Sequence, residues 1–70
     1  MKISYKKLWK LLIDKNMSKA DLRKAVEMSP NTMTKMRRDE EVAMSVLLKI
    51  AKYLECDISD MVEFIKEDGE

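Results

Sequence analysis

The stretch SKADLRKAVEMSPNTMTKMRR, residues 18–38, is the most informative part of the chain, because it contains the start signals of two short helices. Asp21 follows Ser18 at the spacing of a capping box, in which each side chain accepts a hydrogen bond from the other residue's backbone amide. Ser29 precedes Pro30, the typical order of an N-cap and the first helical residue. The start signals lie eleven residues apart, which predicts two separate helices joined by a tight turn.

The spacing of apolar residues predicts which face of each helix is buried. The first helix of the pair, over about residues 19–26, has a core face formed by Leu22, Ala25 and Val26. The second, over about residues 30–37, turns Met33 and Met36 inward. Its outward positions are polar, short or basic: Asn31, Thr32, Thr34, Lys35 and Arg38.

Three further helices are predicted around this pair. Helix 1 extends over about residues 4–15 with Ser4 as its N-cap, and helix 4 over about residues 44–54. Helix 5 starts at Asp57, where Asp60 completes another capping box. The predicted fold class is therefore all-α, a compact five-helix bundle with the helix pair at helices 2 and 3.

Length and composition indicate one small domain. The chain has 70 residues, near the lower limit at which an apolar core alone holds a fold. It has one glycine and one proline, which disfavours the turns of β-hairpins. We expect a single domain over residues 1–70, with its core at about 5–65 and a frayed C-terminal tail at 66–70.

The composition also argues against several function classes. Histidine is absent and Cys56 is the one cysteine, which removes disulfides, Cys/His zinc sites and histidine-based catalysis. The sequence has no glycine-rich phosphate loop, so we expect no enzyme, no metal and no cofactor. It has neither a signal-peptide core nor an apolar run of membrane-spanning length. We expect a cytoplasmic protein with no membrane contact and no evident small-molecule ligand.

The net charge of +1 hides a strong asymmetry along the chain. Residues 1–38 hold eleven Lys/Arg and three Asp/Glu, whereas residues 39–70 hold three and ten. Such charges often serve only to solvate helices. Here, however, the basic half also contains the helix pair, and a basic face attracts phosphates while acidic residues elsewhere reduce self-association.

Two segments, MSKADLRKAVEMSPNTMTKMRR and VLLKIAKYLECDISDMV, together with the order of the helices, resemble the helix-turn-helix domain of the Xre family, the class of Cro and the lambdoid phage repressors. The resemblance covers roughly residues 5–65 and is most specific at Ser29-Pro30, LLKIAKYL and CDISDM. It implies a lambda-repressor-like fold and a small stand-alone transcriptional regulator that binds specific double-stranded DNA sequences.

The resemblance also implies roles for individual residues, because in this family the second helix of the pair lies in the major groove. The implied base-contacting residues are Pro30, Asn31, Thr32, Thr34 and Lys35. The implied phosphate-contacting residues are Lys19, Ser29, Arg37, Arg38, Arg23 and Lys24. The side-chain chemistry agrees, since asparagine can bind adenine N6 and N7, and lysine can reach guanine O6 and N7.

The sequence departs from the family pattern at several positions. Glu27 replaces the usual glycine of the turn, and a non-glycine residue in the left-handed conformation costs about 1 kcal/mol. Arg23 replaces a small residue, and Ala43 replaces the hydroxyl cap of helix 4. After helix 1, Asn16 can adopt the left-handed cap conformation.

Surplus apolar surface on helix 1 leaves two interpretations open. Trp9 and Ile13 either pack against the C-terminal helix or, with Phe64 and Ile65, form the contact of a homodimer. A dimer would read two DNA half-sites. The alternative function is a protein-interaction module, antitoxin-like or an adaptor, that retains the helix-turn-helix shape.

Overall fold

A computed structural model describes residues 1–67 and contains four α-helices and a small two-stranded sheet. The elements in chain order are β1 (Lys2–Ser4), α1 (Lys6–Asp14), α2 (Lys19–Ala25), α3 (Pro30–Arg37), α4 (Met44–Leu54) and β2 (Glu63–Ile65). One 3-10 turn, Ile58–Asp60, lies between α4 and β2. None of the helices in this range is long and apolar enough to cross a membrane. Of the predicted frayed tail, residues 68–70 lie outside the described residues.

The bounds of the three central helices, α2, α3 and α4, confirm the predictions from start signals and periodicity. The capping box at α2 forms, because the Asp21 amide donates to Ser18 Oγ and the Ser18 amide to the Asp21 carboxylate, both at 3.0 Å. The hydrogen bond from the Ser18 backbone amide, and after it one from the Ser18 side chain, lowers the pKa of the Asp21 carboxyl. Ser29 Oγ caps α3 by accepting from the Thr32 amide at 3.1 Å. Ala43 precedes α4 without a side-chain cap.

The five-helix prediction is wrong at both ends of the chain. Ser4 lies in β1 instead of capping helix 1, which begins only at Lys6. The Asp57–Asp60 capping box does form, but it opens a single 3-10 turn. The chain then continues into β2.

The two strands explain why the helix prediction failed there. β1 pairs antiparallel with β2, with Ile3 opposite Phe64 and Ser4 opposite Glu63. The pairing joins the two ends of the described chain, so it needs no hairpin and no turn residues. Scarcity of glycine and proline therefore excluded hairpins but not a sheet.

The core lies between the four helices and the 3-10 turn. Its fully buried side chains are Tyr5, Leu8, Leu12, Leu22, Met36, Ile50 and Met61. Met33 and Met36 face inward from α3, as predicted. Leu22 and Val26 are buried as predicted, but Ala25 is exposed, contrary to prediction.

Each of the four α-helices ends in the same way, with a non-glycine residue in the left-handed region. These residues are Asn16, Glu27, Asp39 and Glu55, with φ between 54° and 61°. In every case the next residue's amide reaches back five positions, as from Met17 to Leu12 at 2.9 Å and from Met28 to Arg23 at 2.8 Å. Such Schellman-type bonds satisfy the last carbonyls of each helix and offset the backbone strain.

Tyr5 links the start of α1 to the connector after α3. Its hydroxyl donates to the Glu40 carbonyl at 2.7 Å, and its backbone amide donates to the Asp39 carboxylate at 3.3 Å. Burial raises the pKa of the Tyr5 phenol above its usual value, which favours the protonated form that donates this hydrogen bond. The contact fixes where the chain leaves α3.

We expect Tyr5→Phe to lower the free energy of unfolding by about 1–2 kcal/mol, because it leaves the Glu40 carbonyl without its donor. The matched control is Tyr53→Phe, since Tyr53 is half exposed and makes no hydrogen bond to a residue in 1–67. Urea denaturation of both variants measures the difference. Equal losses in the two variants would contradict a structural role for the Tyr5 hydroxyl.

Candidate nucleic-acid interface

The outward face of α3 presents two free polar side chains one helical turn apart. Asn31 and Lys35 are both exposed, and neither side chain makes a hydrogen bond to any residue that the structure describes. Residues four apart lie on the same side of a helix. An amide and an ammonium group are thus available together to an external ligand, as the sequence predicted for Asn31 and Lys35.

The two threonines of α3 are already engaged within the protein. The Thr32 hydroxyl lies 2.9 Å from Ser29 Oγ, and the Thr34 hydroxyl donates to the Pro30 carbonyl at 3.0 Å. Both threonines are half-buried, whereas Pro30 is exposed. The five predicted base-contacting residues therefore divide into two free polar groups, two locally bonded hydroxyls and one apolar ring.

Buried side chains beneath α3 hold this face outward. Met33 and Met36 on α3 are 6% and 0% exposed, and they join the same core cluster as Leu22 and Val26 from the preceding helix. Met28, in the turn, is also buried. Because these residues pack on one side of the pair, the polar side of α3 is left open to solvent.

The turn between α2 and α3 is formed without glycine. Glu27 has φ 55°, in the left-handed region, and its amide donates to the Lys24 carbonyl at 3.3 Å. Arg23 is half-buried, and its carbonyl accepts from the Met28 amide. The left-handed Glu27 is thus accommodated by the backbone bonds that end α2, and the Arg23 side chain remains partly exposed.

Basic side chains flank the open face of α3. Lys19, Lys24, Arg37 and Arg38 are exposed, and none of them forms an ion pair with a residue in 1–67. Ser29, which caps α3, is exposed as well. The acidic group that follows Arg38 in sequence is turned away, because the Asp39 carboxylate accepts from the Tyr5 amide. None of these four charges predicted to contact phosphate is therefore held in an ion pair with a described residue.

One feature of the surface was missed by sequence reasoning. The Lys19 ammonium lies 4.4 Å from the centroid of the Trp9 ring, within the range of a cation–π contact. The Tyr5 ring lies on the same indole, at 6.4 Å between centroids and tilted by 52°. The only sequence signal was the surplus apolar stripe on helix 1, which gave no indication of Lys19.

The predicted contacts of the same apolar stripe, which contains Trp9 and Ile13, were partly wrong. The interpretation that Trp9 and Ile13 pack against a C-terminal helix is wrong, because the chain forms β2 there instead of a helix. Trp9 is half-buried against the core, while Ile13 and Phe64 are 74% and 71% exposed and Ile65 is 38% exposed. These last three side chains leave apolar surface exposed, as do Met44 and Leu48 on α4.

The interface contains groups for binding rather than for metal chemistry. Within residues 1–67 no cluster of three or more His, Cys, Asp or Glu side chains could hold a metal ion. Burial raises the pKa of the free Cys56 thiol, which favours its unreactive protonated form. The arrangement as a whole offers hydrogen-bond donors, one amide acceptor and positive charge to a polyanion.

Comparison with known proteins gives matching results from sequence and from structure. The family model for the Cro/C1-type HTH DNA-binding domain matches residues 7–67. The crystal structure of the transcriptional regulator VanUg is similar, with a TM-score of 0.92 and 48% sequence identity over 94% of this chain and 88% of that chain. No curated protein matches the chain significantly.

We expect Glu27→Gly to raise the free energy of unfolding by about 0.5–1 kcal/mol, because glycine adopts the left-handed conformation without a steric cost. Glu41→Gly is the control, since Glu41 is an exposed connector residue without positive φ. Thermal unfolding of both variants provides the measurement. Destabilisation by Glu27→Gly would mean that the Glu27 side chain stabilises the turn.

Proposed function

We propose that this chain, which belongs to the family of Cro/C1-type helix-turn-helix DNA-binding domains, binds a specific double-stranded sequence by placing α3 in the major groove. The chain is a DNA-binding transcriptional regulator. The observation that supports the binding geometry is the pair Asn31 and Lys35, both exposed and free on the outward face of α3. Neither a catalytic step nor a cofactor is part of this function.

Base reading is assigned to the outward face of α3. Asn31 can bind adenine N6 and N7 together, and Lys35 can donate to guanine O6 and N7. Thr32 and Thr34 keep their methyl groups for contact with thymine, since their hydroxyls are bonded within the helix. Pro30, exposed beside them, adds an apolar contact at the helix start.

Phosphate contacts are assigned to the groups that flank α3. The set consists of Lys19, Ser29, Arg37, Arg38, Arg23 and Lys24. Such contacts fix orientation and affinity but do not read sequence, and they make binding salt-dependent. Half-buried Arg23 is less accessible than the other cations, so we expect its contribution to be the smallest.

We also propose that the protein acts as a homodimer in the cytoplasm, with residues 1–70 as a single domain. Two copies read two half-sites about one helical turn apart, which increases specificity beyond that of one short helix. The exposed apolar residues Ile13, Phe64 and Ile65 are the candidate contacts. Trp9, which was predicted as a dimer contact together with these three residues, already contacts Lys19 within its own chain.

We expect Lys35→Ala to weaken binding to the specific site by about 1–3 kcal/mol and to relax the preference at one base position. Lys19→Ala should weaken binding to all duplexes alike and reduce the salt slope by about one. Lys66→Ala is the control, since Lys66 is an exposed lysine beyond β2. Selection of bound duplexes from a random pool followed by titration at several salt concentrations measures all three.

Two outcomes would contradict these assignments. Equal losses for Lys35→Ala and Lys19→Ala on every duplex would refute base reading by Lys35. Failure of the unmodified protein to enrich any sequence, or to bind any duplex at low salt, would refute the proposed recognition of specific DNA.

The dimer is tested separately. We expect sedimentation velocity at high micromolar protein to show a dimer, and Phe64→Glu to convert it to a monomer because a charge would be buried in the contact. Leu48→Glu is the control, since Leu48 is a similarly exposed apolar residue on α4. A monomer of the unmodified protein at this concentration would count against the dimer.

A further inference from the structure

We propose that Trp9 is a positioning residue for DNA binding, because its ring holds the Lys19 ammonium at the place where α2 meets the phosphate backbone. This inference rests on the proposed function in one respect, namely that Lys19 contacts phosphate. The new part is that Trp9 holds the Lys19 side chain in place before DNA binds. Among residues 1–67, the other basic residues of the interface have no cation–π contact.

The backbone brings the two side chains together by a fixed turn. Trp9 lies on α1 and Lys19 is the first residue of α2. Between the helices, Asn16 adopts φ 61° and the Met17 amide donates to the Leu12 carbonyl at 2.9 Å. The capping box at Ser18 then sets the backbone direction directly before Lys19. The position of the lysine Cα relative to α1 is thus determined by local hydrogen bonds.

The indole ring of Trp9 is also held in place by packing. Trp9 is half-buried and packs against the core cluster. The ring of Tyr5, which is itself fully buried, lies against it at 6.4 Å between centroids. Because Tyr5 is also hydrogen-bonded to Glu40, the indole has a rigid support on its inner side.

A held ammonium binds phosphate with a smaller loss of conformational freedom. Lysine loses much rotamer entropy when its long side chain is fixed, and this loss opposes binding. The ring face takes up one side of the ammonium group, while its N–H donors on the other side stay open to a phosphate oxygen. The contact leaves the lysine charged, so its attraction to DNA is retained.

The test is a double-mutant cycle on binding to a mixed-sequence duplex about two helical turns long at low salt. We expect Trp9→Leu to weaken binding about threefold, in line with an exposed cation–π contact, and to have no effect in a Lys19→Met background. Trp9→Phe should recover part of the loss, because phenylalanine keeps a ring face.

The salt dependence and a matched lysine separate positioning from structural damage. Trp9→Leu should leave the salt slope unchanged, because Lys19 still binds, whereas Lys19→Met should reduce it by about one. In a Lys24→Met background, the threefold loss from Trp9→Leu should persist, since Lys24 lies on the same helix without a ring contact.

A spectroscopic measurement on the unmodified protein does not depend on the variants folding. The ε-methylene protons of Lys19 should resonate upfield of those of Lys24, because they lie over the indole ring. The upfield shift should remain when the duplex is added. Its absence in the free protein, or its loss on binding, would overturn the inference.

The remaining outcomes are distinguishable from failure of the proposed function. If Trp9→Leu costs as much affinity in the Lys19→Met background as in the unmodified protein, or if it tightens binding, positioning is overturned while DNA binding stands. If Lys19→Met costs no affinity, Lys19 is not an anchor, and the inference fails together with the assignment of Lys19 to phosphate, while base reading by α3 stands. If the unmodified protein binds no duplex, the proposed function fails and the inference fails with it.

Discussion

The buried residue Tyr5 links the start of α1 to the connector after α3, which lies 34 to 35 residues away in sequence. Its hydroxyl donates a hydrogen bond to the Glu40 carbonyl, and its backbone amide donates one to the Asp39 carboxylate. Its ring packs against the indole of Trp9. One residue thereby joins the end of β1, the start of α1 and the connector that leaves the recognition helix α3. Because the acidic connector is tied to α1, Arg37 and Arg38 face solvent without a neutralising partner in the described chain.

Residues 1–67 form four tightly ended α-helices without using glycine at any of the helix ends. Each helix ends with a left-handed Asn, Asp or Glu, followed by an amide that bonds back five residues. The left-handed conformation of a non-glycine residue costs about 1 kcal/mol of free energy. The backbone bonds offset this cost, and so does the packing of the next residue behind three of the turns, namely Met17, Met28 and Cys56. The connections between the helices are therefore short, and they fix the orientation of α2 relative to α3, which binding in the DNA groove requires.

The recognition surface could be predicted from the sequence more fully than the ends of the chain. Asn31 and Lys35 are where helical spacing placed them, and both are free. Spacing could not show that the Thr32 and Thr34 hydroxyls bond within α3 and its cap. It also could not show that Lys19 lies over Trp9, because that contact depends on how α1 and α2 pack.

Elements with local signals follow from the amino-acid sequence alone. Capping residues and apolar periodicity act within one or two helical turns, and they defined α2, α3 and α4 as well as the basic, polar face of the pair. Both termini, in contrast, depend on tertiary contacts. The segment after Asp57 has a helix start signal, yet it forms only a single 3-10 turn and then β2, because β1, at the other end of the described chain, supplies the hydrogen-bond partners of β2. A partner so distant in sequence leaves no periodic trace in the segment itself, so only the folded chain could reveal the pairing.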